Sequence, residues 1–374
     1  MEEVDEETCF ETVEDEFLTG EELMARIECW TLKLLKEGTP KLSMVKLRSS
    51  NVAYSKEGKV RMGSERQLRR MGCCSVRAYL RTWIVVAKVH ALVSTGRCVT
   101  QRGLYYSLVA FFEQQEQLNA IVEDVGAMLR VSRAALGIVA ESRGKLGGLA
   151  CFSPDGAPPI PLRQLGGIRI SQLDARCVVA AERPPSLVLV VEKDAIFQRL
   201  LSDRIFDRIP MVLLTGSGYP DLATKHLLAA LHRNWGLPVA GLFDYNPDGL
   251  QIFLSYRCGT IGHGLHSRSA TVPIRLLGVA PQDLAADWAF TPLTPRETAL
   301  AGRLQRHPAV ARSEGLLAHL EGMRRHGTAE IEAVVDPPAP PTALEGAARG
   351  VLIPKRTALV ELICRKLHRR KFID

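Results

Sequence analysis

Between residues 186 and 259 the chain states one pattern three times. "SLVLVVEKDAIFQRL", "MVLLTGSGYPDLATKHLLAALHRNW" and "PVAGLFDYNPDGLQIFLSYRCG" each join a short, continuously apolar run to an amphipathic stretch. A strand that is apolar at every residue needs cover on both faces. Alternation with helices supplies that cover, so the pattern predicts a parallel sheet with helices on both sides. Ligands of such sheets collect beyond the carboxyl ends of the strands. There the chain places Glu192 after LVLVV and Asp244 after VAGLF, with Asn246 two residues on and Asp248 opening the next helix. All four carry oxygen donors, and carboxylates at the tips of two buried strands suit a hard cation such as Mg²⁺. A plainer reading stays open, with Asp248 as a helix cap and Glu192 as half of an ion pair with Lys193. The "GSGYPD" loop at 216–221 supplies glycines for a tight turn, a proline at a helix start and Asp221 in the first turn.

Upstream the pattern is helical. Thr19 and Glu22 have capping-box spacing, and Leu23, Ile27, Trp30 and Leu34 follow at helical intervals to a stop at Gly38. Residues 39–75 are polar, basic and weakly periodic, which reads as a connector with at most a short strand. From Arg77 three helices are expected. The first carries Leu80, Trp83, Ile84 and Ala87, the second contains the pair Tyr105–Tyr106, and the third carries Ile121, Val125, Met128 and Leu129. "VSRAALGIVAESRGKLGGL" predicts a Ser132 cap, a short helix and a glycine-rich turn at Gly144, Gly147 and Gly148. Short helices ending in such a turn suggest a winged helix-turn-helix. Two adjacent tyrosines on a helix sit about 100° apart, so only one can face the core.

The expected organisation is an acidic tail over 1–22, an N-terminal helix and basic connector over 23–75, a winged-helix domain over 76–160 and a parallel-sheet α/β domain with a C-terminal extension over 161–374. At 374 residues, 46% hydrophobic and 24% charged, the chain is long enough for two separate cores. The net charge of +7 hides a polarity, since residues 1–25 hold 11 Asp and Glu and no Lys or Arg. From Lys41 to Arg81 there are 11 Lys and Arg against two acidic residues. That density suits a phosphate-contacting face or a solvated surface. No apolar run approaches the roughly 18 to 20 residues of a membrane span, and the acidic start is the reverse of a signal peptide's basic region, so an intracellular protein with no membrane partner is expected. Nine cysteines without a CxxC pair indicate reduced thiols rather than zinc or disulfides.

"VTQRGLYYSL", "VSRAALGIVAESRG", "VVEKDAIFQRL", "GSGYPDLATK", "LFDYNPDGLQI", "LLGVAPQDL" and "AEIEAV" stand in one order along the chain. In that order and approximate spacing they resemble the family of topoisomerase VI A subunits and the eukaryotic meiotic double-strand-break transesterases, from about residue 75 onward. The resemblance implies a winged-helix domain bearing a nucleophilic tyrosine, followed by a Toprim domain that binds Mg²⁺. It assigns the nucleophile to Tyr106, the second phenol of the pair, and the metal site to Glu192, Asp244 and Asn246. Asn246 stands where the family's second Asp of the DxD motif is usual, which removes one negative charge. Gly103 stands where an acidic residue is usual. Arg133 matches an arginine near the tyrosine and Arg143 a basic position in the following turn. With Arg102 and Lys145 these are the expected phosphate and DNA contacts.

A free tyrosine with pKa about 10 is disfavoured as a phenolate by roughly 4 kcal/mol at pH 7, so nearby positive charge must offset that cost. Arg133 and Mg²⁺ would do so in a tyrosine transesterase. The function that the resemblance implies is a nuclear homodimer that cuts double-stranded DNA through a phosphotyrosyl intermediate and initiates meiotic recombination. Two other readings remain. One is a topoisomerase VI A subunit working with an ATPase B subunit, and the other is a noncatalytic DNA-binding scaffold.

Overall fold

The computed structural model describes residues 10–11, 19–36, 41–45, 51–55, 57–63, 65–70, 75–133, 135–139, 142–153, 158–163, 167–170, 178–181, 183–261, 270–284, 288–335 and 358–374. The chain divides into two compact units, one of Met1–Ser55, Val60–Glu141 and Gly259–Ser269, the other of Lys56–Lys59, Ser142–Cys258 and Ala270–Asp374.

In the first unit, helix α1 (Gly20–Lys36) opens on the expected capping box. Thr19 N–H donates to Glu22 Oε2 at 2.7 Å, and Glu22 N–H returns to Thr19 Oγ1 at 3.2 Å. Leu23 and Ile27 are buried with Trp30 packed beside them, while the side chain of Leu34 lies outside the described residues. Helices α2 (Val76–Ser94), α3 (Gln101–Ser107) and α4 (Gln115–Leu129) follow. Ile121, Val125 and Leu129 fill the core as the periodicity of α4 predicts. The face of α2 differs from expectation: Tyr79, Thr82, Val85, Val86, Val89 and Leu92 point inward, and Leu80 is exposed. Thr82 can be buried because its hydroxyl donates to Ala78 O within its own helix.

The basic connector contains more structure than its sequence suggests. Strand β1 (Phe10–Glu11), inside the expected acidic tail, pairs with β4 (Val60–Gly63), which also pairs with β3 (Val52–Tyr54). Strand β2 (Lys41–Val45) pairs with β5 (Arg66–Arg70), and β6 (Val99–Thr100) with β7 (Ile138–Val139). The expected short helix after Ser132 is instead a turn. Ser132 Oγ does accept a cap-like bond from Ala135 N–H at 3.2 Å, but the chain passes directly into β7.

The second unit carries the six-stranded sheet, in the order β11 (Ile168–Arg169), β8 (Lys145–Gly148), β14 (Met211–Thr215), β13 (Leu187–Val191), β15 (Val239–Leu242) and β16 (Ile274–Gly278). β14, β13, β15 and β16 are parallel, whereas β8 and β11 add an antiparallel edge. The predicted glycine-rich turn is therefore mostly strand. A Cβ at Gly147 would lie 2.9 Å from Leu201, and Gly148 has φ +87° with Met211 O within 2.6 Å of a Cβ, so glycine lets β8 approach its neighbours. A second small sheet joins β9 (Ala150–Phe152) to β10 (Ile160–Pro161) and β12 (Val178–Ala180).

Helices α5 (Asp194–Ser202), α6 (Ile205–Arg208), α7 (Leu222–Trp235) and α8 (Pro247–Arg257) connect the parallel strands, as the threefold pattern predicts. Helices α9 (Pro295–Gln305), α10 (Pro308–Ala311), α11 (Glu314–His326), α12 (Glu332–Val335) and α13 (Ala358–His368) complete the unit. Most of the proline-rich stretch "VVDPPAPPTALEGAARG" at 334–350 lies outside the described residues. No helix among the described residues is long and apolar enough to cross a membrane. Cys29, Cys98, Cys151, Cys258 and Cys364 are free thiols.

Candidate functional site

In the first unit the tyrosine pair sits on a helix of only seven residues. Thr100 caps it by accepting from Gly103 N–H at 3.0 Å. A Cβ at Gly103 would lie 3.0 Å from Val99 and 3.1 Å from Thr100 Oγ1, so the glycine leaves the cap uncrowded. One turn on, Leu104 is fully buried, Tyr105 packs against the core and its hydroxyl donates to Glu113 O at 3.4 Å. The next ring is turned away, and Tyr106 is 71% exposed with its ring centroid 5.8 Å from that of Tyr105. The following turn is held from α2, where Arg81 Nε donates to Phe111 O at 2.6 Å and its guanidinium lies 5.2 Å from the Phe112 ring centre. Nothing in the local sequence singles out Arg81 within the basic run.

Arg133 is anchored rather than loose. Its guanidinium donates to Gln101 Oε1 at 3.1 Å, on the first residue of α3, and lies 3.5 Å from Glu123 Oε1. Burial raises the Glu123 pKa, and the charge of Arg133 opposes that rise. Arg102 is exposed on α3.

Arg143 and Lys145 belong to the second unit. Lys145 pairs in register with Thr215, the last residue of β14, and its ammonium lies 2.9 Å from Asp194. Arg143 N–H donates to Asp221 Oδ2 at 3.1 Å, and its carbonyl accepts from Ser217 Oγ at 3.1 Å. The "GSGYPD" loop is thus tied down at both ends, since Gly218 N–H donates to Glu192 O and Asp221 Oδ1 caps α7. Ser217 and Gly218 take positive φ, +52° and +95°, to make the turn.

Beyond the carboxyl ends of β13 and β15 the acids converge. Asp244 N–H donates to Glu192 Oε2 at 2.8 Å. Asp244 Oδ1 accepts from Ile331 N–H at 2.9 Å, and Oδ2 lies 3.1 Å from Lys193 Nζ. The same ammonium reaches Glu330 Oε2 at 3.1 Å and Glu332 Oε2 at 2.8 Å. These last two acids arrive because Tyr245 and Ala329 exchange a pair of backbone hydrogen bonds that lays their segment beside Asp244. Lys193 therefore pairs with Asp244, Glu330 and Glu332, and not with Glu192 as the plainer alternative from the sequence had it.

Burial and the neighbouring Asp244 charge push the Glu192 pKa up to about 7, and burial raises that of Asp244 too. Buried acids that resist ionisation gain most from an added positive charge. Asn246, not Asp248, is the helix cap: its Oδ1 accepts from Gly249 N–H at 2.7 Å, with Pro247 at the first helical position. Asp248 Oδ1 instead accepts from Tyr219 OH at 3.2 Å and lies 3.4 Å from Arg296.

Among the described residues no three of His, Cys, Asp and Glu are spaced as a ready metal cage. The donor chemistry nevertheless fits a hard cation. It is all oxygen, largely buried and rich in negative charge, and a cation, the Lys193 ammonium, already stands on Asp244.

Residues 187–338 match the family model for the Toprim domain of Spo11 and the topoisomerase 6 A subunit, and residues 77–138 match the one described as "Type IIB DNA topoisomerase". Toprim domains typically bind metal ions. The chain is 34% identical over 271 residues to "Meiotic recombination protein SPO11-2" of Oryza sativa subsp. indica, covering 67% of this chain and 70% of the relative. It is 35% identical over 256 residues to the A3 subunit of DNA topoisomerase 6 from the same plant, covering 67% of this chain and 58% of the relative. The corresponding SPO11-2 of Arabidopsis thaliana is 32% identical over 271 residues, covering 70% of each.

Proposed function

Because this chain belongs to the family of Spo11 proteins and topoisomerase 6 A subunits, we propose that it is a DNA-cleaving transesterase that makes double-strand breaks through a phosphotyrosyl link and initiates meiotic recombination. The observation that carries the reading is the outward phenol of Tyr106, on a capped helix within the segment that matches the type IIB topoisomerase model.

Each group has a task. The Tyr106 oxygen forms a bond to a backbone phosphorus as the DNA's own P–O bond breaks. The phenol loses its proton and the departing sugar oxygen gains one. One ester replaces another, so no water is consumed and the step is reversible in principle. Arg133, fixed by Gln101 and Glu123, brings a permanent positive charge to the start of the nucleophile's helix. Arg102, Arg143 and Lys145 are proposed to hold the flanking phosphates, which would give binding a steep salt dependence. Glu192 and Asp244 would hold Mg²⁺, with Asn246 fixing the turn that presents them. When bound, the ion supplies neutralisation of the charge that builds on the phosphate.

In this reading the active form is a nuclear homodimer, and cutting both strands of a duplex needs a tyrosine from each of two copies. A second reading is favoured by the topoisomerase 6 relative, whose identity is as high as that of the meiotic proteins. It makes the chain an A subunit that also rejoins DNA with an ATPase B subunit. Copurification of such an ATPase with ATP-dependent strand passage favours that arrangement.

The test of both is covalent trapping. Native protein mixed with DNA and then denatured carries DNA on Tyr106, located by mass spectrometry of the adduct, and Tyr106→Phe carries none. A folded protein that binds DNA and never forms the adduct is a scaffold, and the proposal fails.

A further inference from the structure

Lys193 is the unusual member of the acidic cluster. Its ammonium touches three carboxylates at once: Asp244 at 3.1 Å, Glu330 at 3.1 Å and Glu332 at 2.8 Å. The three differ in surroundings. The Asp244 side chain is 4% exposed, whereas those of Glu330 and Glu332 are 68% and 46% exposed. The lysine thus leans one way into the buried acid and the other way onto two outer acids near solvent. Asp244 has little choice of orientation, because Ile331 N–H holds its Oδ1 and leaves Oδ2 to face the ammonium.

From this geometry we infer that Lys193 is a resident placeholder for a divalent cation: it neutralises Asp244 until the ion enters, then yields Oδ2 and keeps Glu330 and Glu332. The inference rests on the proposed role of Asp244 as a metal ligand. A divalent ion sits about 2.0–2.6 Å from a carboxylate oxygen. An ammonium bonded to that same oxygen would be a close like charge in a poorly screened site. Lysine suits the exchange because its charge is a point on a flexible four-carbon stem, so it can leave one oxygen without leaving the cluster. Glu330 and Glu332 give it somewhere to go.

The inference predicts that removing the ammonium helps the ion and harms the empty protein. The full chain, stripped with chelator, would be titrated with MgCl₂ by calorimetry and with MnCl₂ by electron spin resonance, and its thermal unfolding followed with and without Mg²⁺. Lys193→Met is expected to tighten Mg²⁺ and Mn²⁺ about tenfold, a difference of about 1.4 kcal/mol. It should also melt earlier than wild type without metal and regain most of that loss with it. Lys193→Gln repeats the measurement should the methionine variant misfold. Lys193→Arg keeps the charge and should not tighten the ion. Arg199→Met, which removes a cation paired with Asp203 instead, should change affinity by less than about twofold. Metal binding that is lost in Asp244→Asn yet equal or weaker in both Lys193→Met and Lys193→Gln overturns the placeholder and leaves the metal site standing. Wild type and Lys193 variants that all fail to bind either ion overturn the metal site, and the placeholder with it.

Discussion

The backbone N–H of Asp244 donates to the side chain of Glu192 at 2.8 Å, so the two acids at the strand ends form one unit. Glu192 takes that bond with one of its two carboxylate oxygens, Oε2. Its replacement by alanine would strand a buried N–H as well as delete a charge. Glu192→Gln retains an acceptor oxygen and should unfold within about 1 kcal/mol of wild type while losing divalent-ion binding and adduct formation, whereas Glu192→Ala should cost a further 1–3 kcal/mol or so. Urea unfolding beside a metal titration separates the two effects.

Removal of either phenolic hydroxyl should have opposite results. Tyr105→Phe gives up one long hydrogen bond to Glu113 O and should still form the DNA adduct. Tyr106→Phe changes an exposed ring, so stability should shift by no more than about 0.5 kcal/mol while the adduct disappears. Gel analysis of denatured protein–DNA mixtures reads the difference.

Asn246 acts through its cap. Asn246→Ala should lower stability by about 1 kcal/mol, and Asn246→Asp should hold it, because aspartate caps equally well and favours the positive end of α8. Denaturant midpoints of the three proteins give the comparison.

Gly249 lies where the chain doubles back on the site. A Cβ there would come within 2.5 Å of Asp244 O, an atom of the backbone, so Gly249→Ala must displace either the helix start or the acid. A loss of roughly 1–3 kcal/mol is expected, with weakened ion binding as its companion. Unchanged ion affinity in a destabilised Gly249→Ala would mean that the helix moved and the acid did not.

His319 sets an acid limit on the second unit. Burial and the charge of Lys366 push its pKa down to about 3 from 6.5, and its ring packs edge-on to Tyr245 at 4.9 Å. The unfolded chain binds a proton that the folded chain refuses, so stability should be full above about pH 6.5 and decline as pH falls toward 3. His319→Gln should flatten that decline between pH 6.5 and 5 in urea-unfolding series.

What could be read from the chain alone was local. The apolar runs of β13, β14 and β15, the Thr19–Glu22 box and the Ile121–Leu129 face all rest on spacing within one element. Strand β5 escaped because arginines at 66, 69 and 70 hide a pairing that depends on β2, twenty-odd residues earlier. On α2 hydropathy chose Leu80 over Thr82, since it cannot register that a hydroxyl is satisfied by its own helix. Glu192 and Asp244 were visible as strand ends. Glu330 and Glu332 stood within the motif "AEIEAV" but without a role, because they join the cluster through a single bridge between Tyr245 and Ala329 that leaves no periodic trace. The plainer reading, which set Lys193 against its sequence neighbour, fails because its partners lie on the next strand and far downstream.

The brevity of α3 makes it a ruler. With Thr100 closing one end and Leu108 the other, the number of residues from cap to tyrosine decides which of two chemically identical rings meets solvent. Insertion of one alanine after Leu104 would rotate the pair by about 100°, and the chain would then offer the wrong hydroxyl with every reactive atom still present.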